Sequence, residues 1–332
     1  MILAGDIGGT KTLVALFEPS GHGVRRVRER TFASSDHTSL DSILAEFLAP
    51  RGAQPLHAAC FGVAGPVIAG RCETTNLPWV LDEQALASVV GVARVKLLND
   101  LEAAAYGMLY LEPDDFAVLN TGADSTPPGN VAVIAAGTGL GEAMLYWDGV
   151  QHHPMASEGG HADFAPRTEQ EIQLLRYLQD RFEQHVSYER VVSGPGLLNI
   201  YEFLRDSRYA PEPGWLAEKL VNGDRSATIT EVGLAGEASL CVATLELFSS
   251  IYGAEAGNLA LKCLAVGGVV VGGGIAPKLL RALDNGSFIR SFTDKGRFAE
   301  FLRRIEVKIA LNAEAPLLGT AHYARRFLMR DV

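Results

Sequence analysis

Residues 2–17 and 131–147 follow one plan: an apolar run, a turn of glycine and threonine, and a second apolar run. In the first, Ile2 to Asp6 leads through Gly8-Gly9-Thr10 to Thr12–Phe17. In the second, Val131 to Ala136 leads through Gly137-Thr138-Gly139-Leu140-Gly141 to Glu142–Trp147. Each reads as strand–turn–strand rather than as a strand feeding a helix. Two related openings point to a duplicated α/β architecture, each part starting with an anion-type hairpin and a cleft lying between the parts. Chance is the competing explanation, since glycine-rich hairpins are common.

The 332 residues suit two domains. Apolar residues make up 48% of the chain, enough for a sizeable core without disulfide or metal staples. A helix is expected over 40–48, with Leu40, Ile43, Leu44, Phe47 and Leu48 on one face and Thr38 or Ser39 as its cap. Strands are expected at 58–64 and 95–98, the latter ending at Asn99-Asp100 before an alanine-rich helix over 101–111. Beyond the second hairpin come helices at 169–184, 196–205 and within 234–265. A strand at 269–271 then enters Gly272-Gly273-Gly274, with a helix starting near Pro277. Helix, strand and helix at 296–304, 306–311 and 315–329 close the chain, while residues 124–129 and 211–214 read as exposed loops.

Several function classes are excluded. A net charge of −10 opposes non-specific nucleic-acid binding, which needs a basic face. The cysteines Cys60, Cys72, Cys241 and Cys263 form no CxxC or Cys/His cluster, so buried, reduced thiols of a cytoplasmic protein are expected rather than zinc or a disulfide framework. No basic segment precedes an apolar leader, so no signal peptide is expected. The most apolar tract, 241–277, is broken by Glu246, Glu255 and Lys262, and its remainder is too short to span a bilayer. The expectation is a soluble protein with no membrane partner.

The chemistry concentrates in a few runs. Asp6-Ile7-Gly8-Gly9-Thr10-Lys11 combines bare backbone amides at Gly8 and Gly9 with the Thr10 hydroxyl, and Asp6 at a strand end is placed to hold the water shell of Mg²⁺. An ordinary Gly-Gly hairpin is the alternative. The run is neither a P-loop nor a Rossmann fingerprint. Gly137, Thr138 and Gly139 make a second anion-type turn, and together the two suggest a nucleotide gripped from both sides. Gly272, Gly273 and Gly274 permit close approach of a flat group such as adenine, or tight strand–helix packing instead.

Asp100 ends a strand, where ligands bind in open α/β sheets. Position alone favours a helix N-cap there; the other role is a base that orients an alcohol for phosphoryl transfer. Glu158-Gly159-Gly160-His161 offers a carboxylate and a neutral donor of the kind that replaces water around a sugar, although His161, like His152 and His153, also reads as a surface histidine. Glu189, before a glycine-rich turn, reads alone as a solvated helix residue.

Taken together, these runs resemble the bacterial glucokinase family of actin-like sugar kinases. The resemblance is carried by Gly5-Asp6-Ile7-Gly8-Gly9-Thr10, Leu98-Asn99-Asp100, Ala136-Gly137-Thr138-Gly139-Leu140-Gly141 and Glu158-Gly159-Gly160-His161-Ala162-Asp163-Phe164-Ala165-Pro166. It continues through Tyr188-Glu189-Arg190-Val191-Val192-Ser193-Gly194-Pro195-Gly196-Leu197, Gly272-Gly273-Gly274-Ile275-Ala276-Pro277 and Asp294-Lys295-Gly296-Arg297-Phe298. The motifs keep the family's order over nearly the whole chain.

The resemblance implies two actin-like (ribonuclease H-like) domains with a cleft between them, a small α/β domain of 1–111 plus 312–332 and a large α+β domain of 112–311. It implies ATP with Mg²⁺ as donor and a hexose as acceptor. That hexose is expected to be glucose, phosphorylated to glucose 6-phosphate at the entry of glycolysis; the alternatives are another hexose or a non-catalytic hexose sensor. It places Asn99, Asp100, Glu158, His161 and Glu189 around the sugar, with Asp100 as base. Asp6, Gly8, Gly9, Thr10, Gly137, Thr138 and Gly139 go to the phosphates and Gly272–Gly274 to the nucleoside. It further implies a cytoplasmic homodimer and domain closure that excludes water. The related ROK kinases and repressors fit less well. No cysteine stands between Cys72 and Cys241 for their zinc motif, and no helix-turn-helix precedes Asp6. Lys11 stands where many members carry Asn.

Overall fold

Alternating burial of apolar side chains builds the first sheet around the opening hairpin. The computed structural model describes residues 1–21, 23–49, 55–123, 127–182 and 185–329. β1 (Ile2–Ile7) and β2 (Lys11–Ser20) pair antiparallel in register from Ile2–Phe17 to Ile7–Thr12. β3 (Gly23–Ala33) continues antiparallel beyond β2, and β4 (Ala58–Val63) lies parallel to β1. β5 (Arg71–Glu73) and β6 (Val80–Asp82) form a separate ribbon, and β7 (Val95–Asn99) completes the order β3-β2-β1-β4-β7. All of β4 is buried because helices cover both of its faces. Ala59, Phe61 and Val63 pack with Leu40, Ile43 and Leu44 of helix Leu40–Leu48 and with Leu86 of helix Glu83–Val90. Ala58 and Cys60 face Ala103 of helix Asp100–Met108 and Leu317 and Ala321 of helix Ala315–Tyr323.

The second sheet repeats this plan. β8 is Phe116–Asn120, β9 Val131–Ala136, β10 Leu140–Trp147 and β11 His152–Ser157; β12 is Val269–Gly272 and β13 Val307–Ala310. β9 and β10 form the antiparallel hairpin, β12 and β13 follow β9 in parallel, and β8 closes the order β10-β9-β12-β13-β8 antiparallel. The shared topology disposes of coincidence as the explanation for the paired hairpins. Helix Ser239–Cys263 lies in the core of this part, buried along nearly its whole length. The chain divides into two compact units: Met1–Pro113 with His152–Ala156 and Asn312–Val332, and Asp114–Gln151 with Ser157–Leu311.

Several elements depart from the sequence reading. β3 has little apolar period, since Arg25, Arg26, Arg28, Glu29 and Arg30 interrupt its few apolar residues. Its charges are matched by Arg25–Glu18, Arg26–Glu314 and Arg30–Glu46 ion pairs, and the Arg28 guanidinium lies 4.2 Å from the Phe47 ring centroid. A charged strand of this kind suits a sheet edge. The helix expected near Pro277 begins only at Leu280, after a run of turns, and lasts four residues. Helices Gly214–Asn222 and Arg225–Ala235 were not anticipated. The helix expected over 169–184 forms as Glu169–Phe182; residues 183 and 184, like 124–126 of the expected loop, lie outside the described residues. His152 and His153 are half-buried in β11 rather than on the surface, with the His153 ring 5.4 Å from that of Phe327. Cys60, Cys72 and Cys241 are buried and Cys263 half-buried, all as free thiols. Among the described residues no single helix is both long and apolar enough to cross a membrane; helices Arg225–Ala235 and Ser239–Cys263 meet both conditions only together, across a 99° bend.

Candidate active site

In the first unit, register brings the predicted residues to one edge. Ile7, Val63 and Asn99 stand in one row across β1, β4 and β7, so the carboxyl ends of these parallel strands coincide. Asp6 and Asp100 both emerge there. The Asp6 carboxyl is pushed up to about 6, first by burial, then by the Asp100 charge, with Lys11 opposing. The Gly8-Gly9-Thr10 turn is closed by the Gly8 amide donating to the Lys11 carbonyl at 3.0 Å and braced by Ser34, whose hydroxyl donates to the Gly8 carbonyl at 2.7 Å.

Asp100 is not the N-cap. That role belongs to Asn99, whose Oδ1 accepts from Leu101 N at 3.0 Å and Glu102 N at 3.4 Å, while Glu102 returns a bond to Asn99 N at 3.2 Å. This reciprocal capping box satisfies donors that the helix itself leaves unpaired. Asn99 Nδ2 also donates to the Gly65 carbonyl at 3.1 Å. Asp100 is left as the first helical residue, exposed, with Oδ1 accepting from Leu101 N at 2.8 Å.

In the second unit the same edge carries Gly137–Gly139 after β9 and Gly272–Gly274 after β12, two strands that pair in parallel up to Ala135–Gly272. Gly137 also accepts from the amide of Gly194, at the start of helix Gly194–Asp206. Glu189 is no solvated helix residue. It sits half-buried on the short turn Tyr188–Arg190, where its Oε2 accepts from Leu140 N at 3.1 Å and lies 4.0 Å from His161 Nε2. The runs carrying His161 and Glu189 are stitched together by backbone bonds, Tyr188 N to Ala162 O at 3.0 Å and Phe164 N to Val186 O at 2.9 Å. Glu158 and His161 are exposed at the ends of that loop, and Arg167 anchors the following segment to Glu171, Ser250 and Ser291. Glu189, His161 and the Gly137–Gly139 turn, scattered in sequence, therefore converge. Thr138 is exposed at the tip of that turn.

Sequence reasoning missed the polar groups beneath these loops: Glu142 on β10, and Glu255 and Asn258 on helix Ser239–Cys263. A signal existed. Glu255 and Lys262 interrupt the most apolar tract seven residues apart, a spacing that returns to one helix face, and the two form an ion pair at 3.2 Å.

Comparison with known proteins gives this arrangement its context. A glucokinase from Nostoc punctiforme is 42% identical over 341 residues, spanning 98% of this chain and 99% of its own length. The crystal structure of a glucokinase from an Antarctic psychrotroph is 31% identical with a TM-score of 0.84, covering 97% of each chain. A ROK family glucokinase from Streptomyces griseus, solved in complex with glucose and AMPPNP, shares the fold at 22% identity and a TM-score of 0.62, covering 98% of this chain and 99% of its own. The fold is thus that of the two-domain actin-like sugar kinases. With the Glucokinase family model matching residues 3–327, and the motif residues gathered at the strand edges of both units, this chain belongs to the glucokinase family.

Proposed function

We propose that the protein is an ATP-dependent glucokinase, transferring the γ-phosphoryl group of ATP to the 6-hydroxyl of glucose. The observation that supports this most is the convergence of Glu189, His161 and the Gly137–Gly139 turn within one unit, alongside the pairing of Asp6 with Asp100 at the strand edge of the other. In the reaction the O6–H bond breaks and an O6–P bond forms, the γ-phosphorus leaves its bridging oxygen, and the proton passes to Asp100 and then to solvent. The transition state is loose and the proton moves late, so a carboxylate suffices. The Leu101 amide on Asp100 Oδ1 orients the carboxylate toward the hydroxyl. Asn99, Glu158, His161 and Glu189 exchange the water around the sugar hydroxyls for hydrogen bonds. Glu189 enters that role with its carboxylate already aimed by Leu140 N. Gly8, Gly9, Thr10, Gly137, Thr138 and Gly139 offer amides and hydroxyls to the phosphates, and the Gly272–Gly274 turn lies against the nucleoside.

Mg²⁺, when bound with the nucleotide, neutralises phosphate charge. The residues fit it: Asp6 is a partly buried carboxylate beside a second one, and a divalent cation relieves both. Asp6 would be the residue to hold it, directly or through water, beside the phosphates of the nucleotide. Glucose and ATP meet in the cytoplasm, and this reading places the protein there as a homodimer.

The direct test is ADP release by purified protein with Mg²⁺-ATP across a panel of hexoses. Release strongest with glucose is expected, and none with any hexose from folded protein overturns the reading. A second expectation concerns Asp6. Its folded pKa of about 6 lies above the ordinary 3.8. Stability from the protonated form is therefore complete below about 3.8 and lost as pH rises through about 6. Asp6→Asn raises Tm at pH 7 more than at pH 4, yet increases the Mg²⁺ concentration needed for half-maximal activity. An unchanged Mg²⁺ requirement removes Asp6 from the metal's neighbourhood.

A further inference from the structure

Beneath the loop that carries Glu158 and His161 lies a pair of acids with no part in the mechanism above. Glu142, on β10, is 2% exposed, and Glu255, on helix Ser239–Cys263, is fully buried. Glu255 lies near enough to Glu142 for its charge to act on the Glu142 carboxyl. Glu142 Oε1 is buried with no donor among the described residues. Burying two ionised carboxylates side by side is prohibitive, and a single proton held between them turns the repulsion into a bond.

Both arms of the sugar loop rest on this pair. Gly159 sits so close to Glu142 that a Cβ there would overlap Oε2. On the other side, Asn258 Nδ2 donates to Glu255 Oε2 at 2.7 Å and to the Tyr188 hydroxyl at 3.1 Å, and Tyr188 precedes Glu189. Lys295, from the Asp294–Phe298 motif that the mechanism leaves unassigned, donates to Asn258 Oδ1 at 2.6 Å. Lys262 donates to Glu255 Oε1 at 3.2 Å.

We propose that the Glu142–Glu255 pair is a positioning element for the hexose: one shared proton holds Gly159 and, through Asn258, Tyr188 in place, and its loss to solvent loosens Glu158, His161 and Glu189 together. This rests on the sugar-binding assignment made above for those residues. Burial, and then the charge of Glu255, pushes the Glu142 carboxyl up to about 8, with Lys262 pulling the other way. The other titratable groups facing the pair are Tyr252 and Tyr188, both driven upward by burial first, and Lys295, held below its usual range by burial and Arg167.

The experiment measures KM for glucose and kcat from pH 6 to 9.5 in the wild type, Glu142→Gln and Lys262→Met. If only the protonated pair holds the loop, wild-type KM rises about tenfold one pH unit above the titration midpoint, relative to its neutral-pH value. Glu142→Gln, permanently neutral, keeps KM within about twofold over that range, with kcat following the wild type. Lys262→Met moves the alkaline limb to higher pH, because the cation favouring ionisation is gone; general loosening would move it the other way or raise KM at every pH.

Parallel alkaline limbs in wild type and Glu142→Gln overturn the proposal. Should Glu142→Gln not fold, the direction of the Lys262→Met displacement decides it. Amide exchange of the 157–163 segment without sugar gives an independent reading: wild type exchanges faster than Glu142→Gln at pH 9 and equally at pH 6, and equal rates at both overturn the proposal. Absence of glucose turnover in all three proteins sinks the glucokinase reading, while amide exchange still decides the positioning role.

Discussion

Asp100→Asn lowers kcat for glucose phosphorylation by about 10³-fold or more while glucose still binds. The amide keeps the size of the carboxylate and retains an oxygen to accept from Leu101 N, the 2.8 Å contact that orients the side chain. The helix start is preserved as well, because the cap is Asn99 and its capping box with Glu102 is untouched. What disappears is the ability to take the proton of the attacking hydroxyl. The loss therefore falls on kcat, and calorimetric glucose affinity changes by less than about tenfold. If kcat of the variant stays within about tenfold of wild type, Asp100 is not the base. Had Asp100 been the cap, the same substitution would be close to silent, since Asn caps as well as Asp. The experiment thus separates the two roles that sequence position leaves open.

Gly319→Ala has the largest expected effect on stability. Helices Asp100–Met108 and Ala315–Tyr323 approach so closely that a Cβ on Gly319 would overlap the Ala103 carbonyl, and one on Gly107 would overlap the Ala315 carbonyl. The obstacle is backbone on both sides, so no side chain can swing away, and the helices must separate. Overpacking of this kind destabilises by about 3 kcal/mol, which lowers the Tm of the unit that contains Gly319 by roughly 10 °C. Activity falls too, because the displaced helix carries Asp100 on its first turn. Gly214→Ala is the control: nothing lies within 4 Å of its added Cβ, and its effect stays within about 0.5 kcal/mol. A Gly319→Ala protein with unchanged Tm would show that the crossing has slack.

Most of the regular structure was legible because its signals are local. The helix Leu40–Leu48 is written in Leu40, Ile43, Leu44 and Phe47 on one face and in Ser39, whose hydroxyl accepts from Ser42 N at 3.4 Å. β3 was illegible for the opposite reason. Its arginines give no apolar alternation, and besides the nearby Glu18 and Glu29 they are accommodated by Glu46, Glu314 and the Phe47 ring, partners distant along the chain. Pro277 resembles a helix start, but the chain spends the following residues in turns and the helix begins only at Leu280.

By itself, the sequence determined the duplicated hairpins, the glycine turns after β1, β9 and β12, and the acids and histidine that make a sugar kinase conceivable. Each is a run of adjacent residues whose conformational preference is local. Only the tertiary structure decided that Asn99 caps and Asp100 does not, that Asp6 and Asp100 repel across a shared strand edge, that Glu189 is aimed by Leu140 N, and that Glu142 and Glu255 meet under Gly159. The reason is physical: strand register and helix crossings bring these groups together over long stretches of chain, and the burial that shifts their protonation exists only once the core has closed.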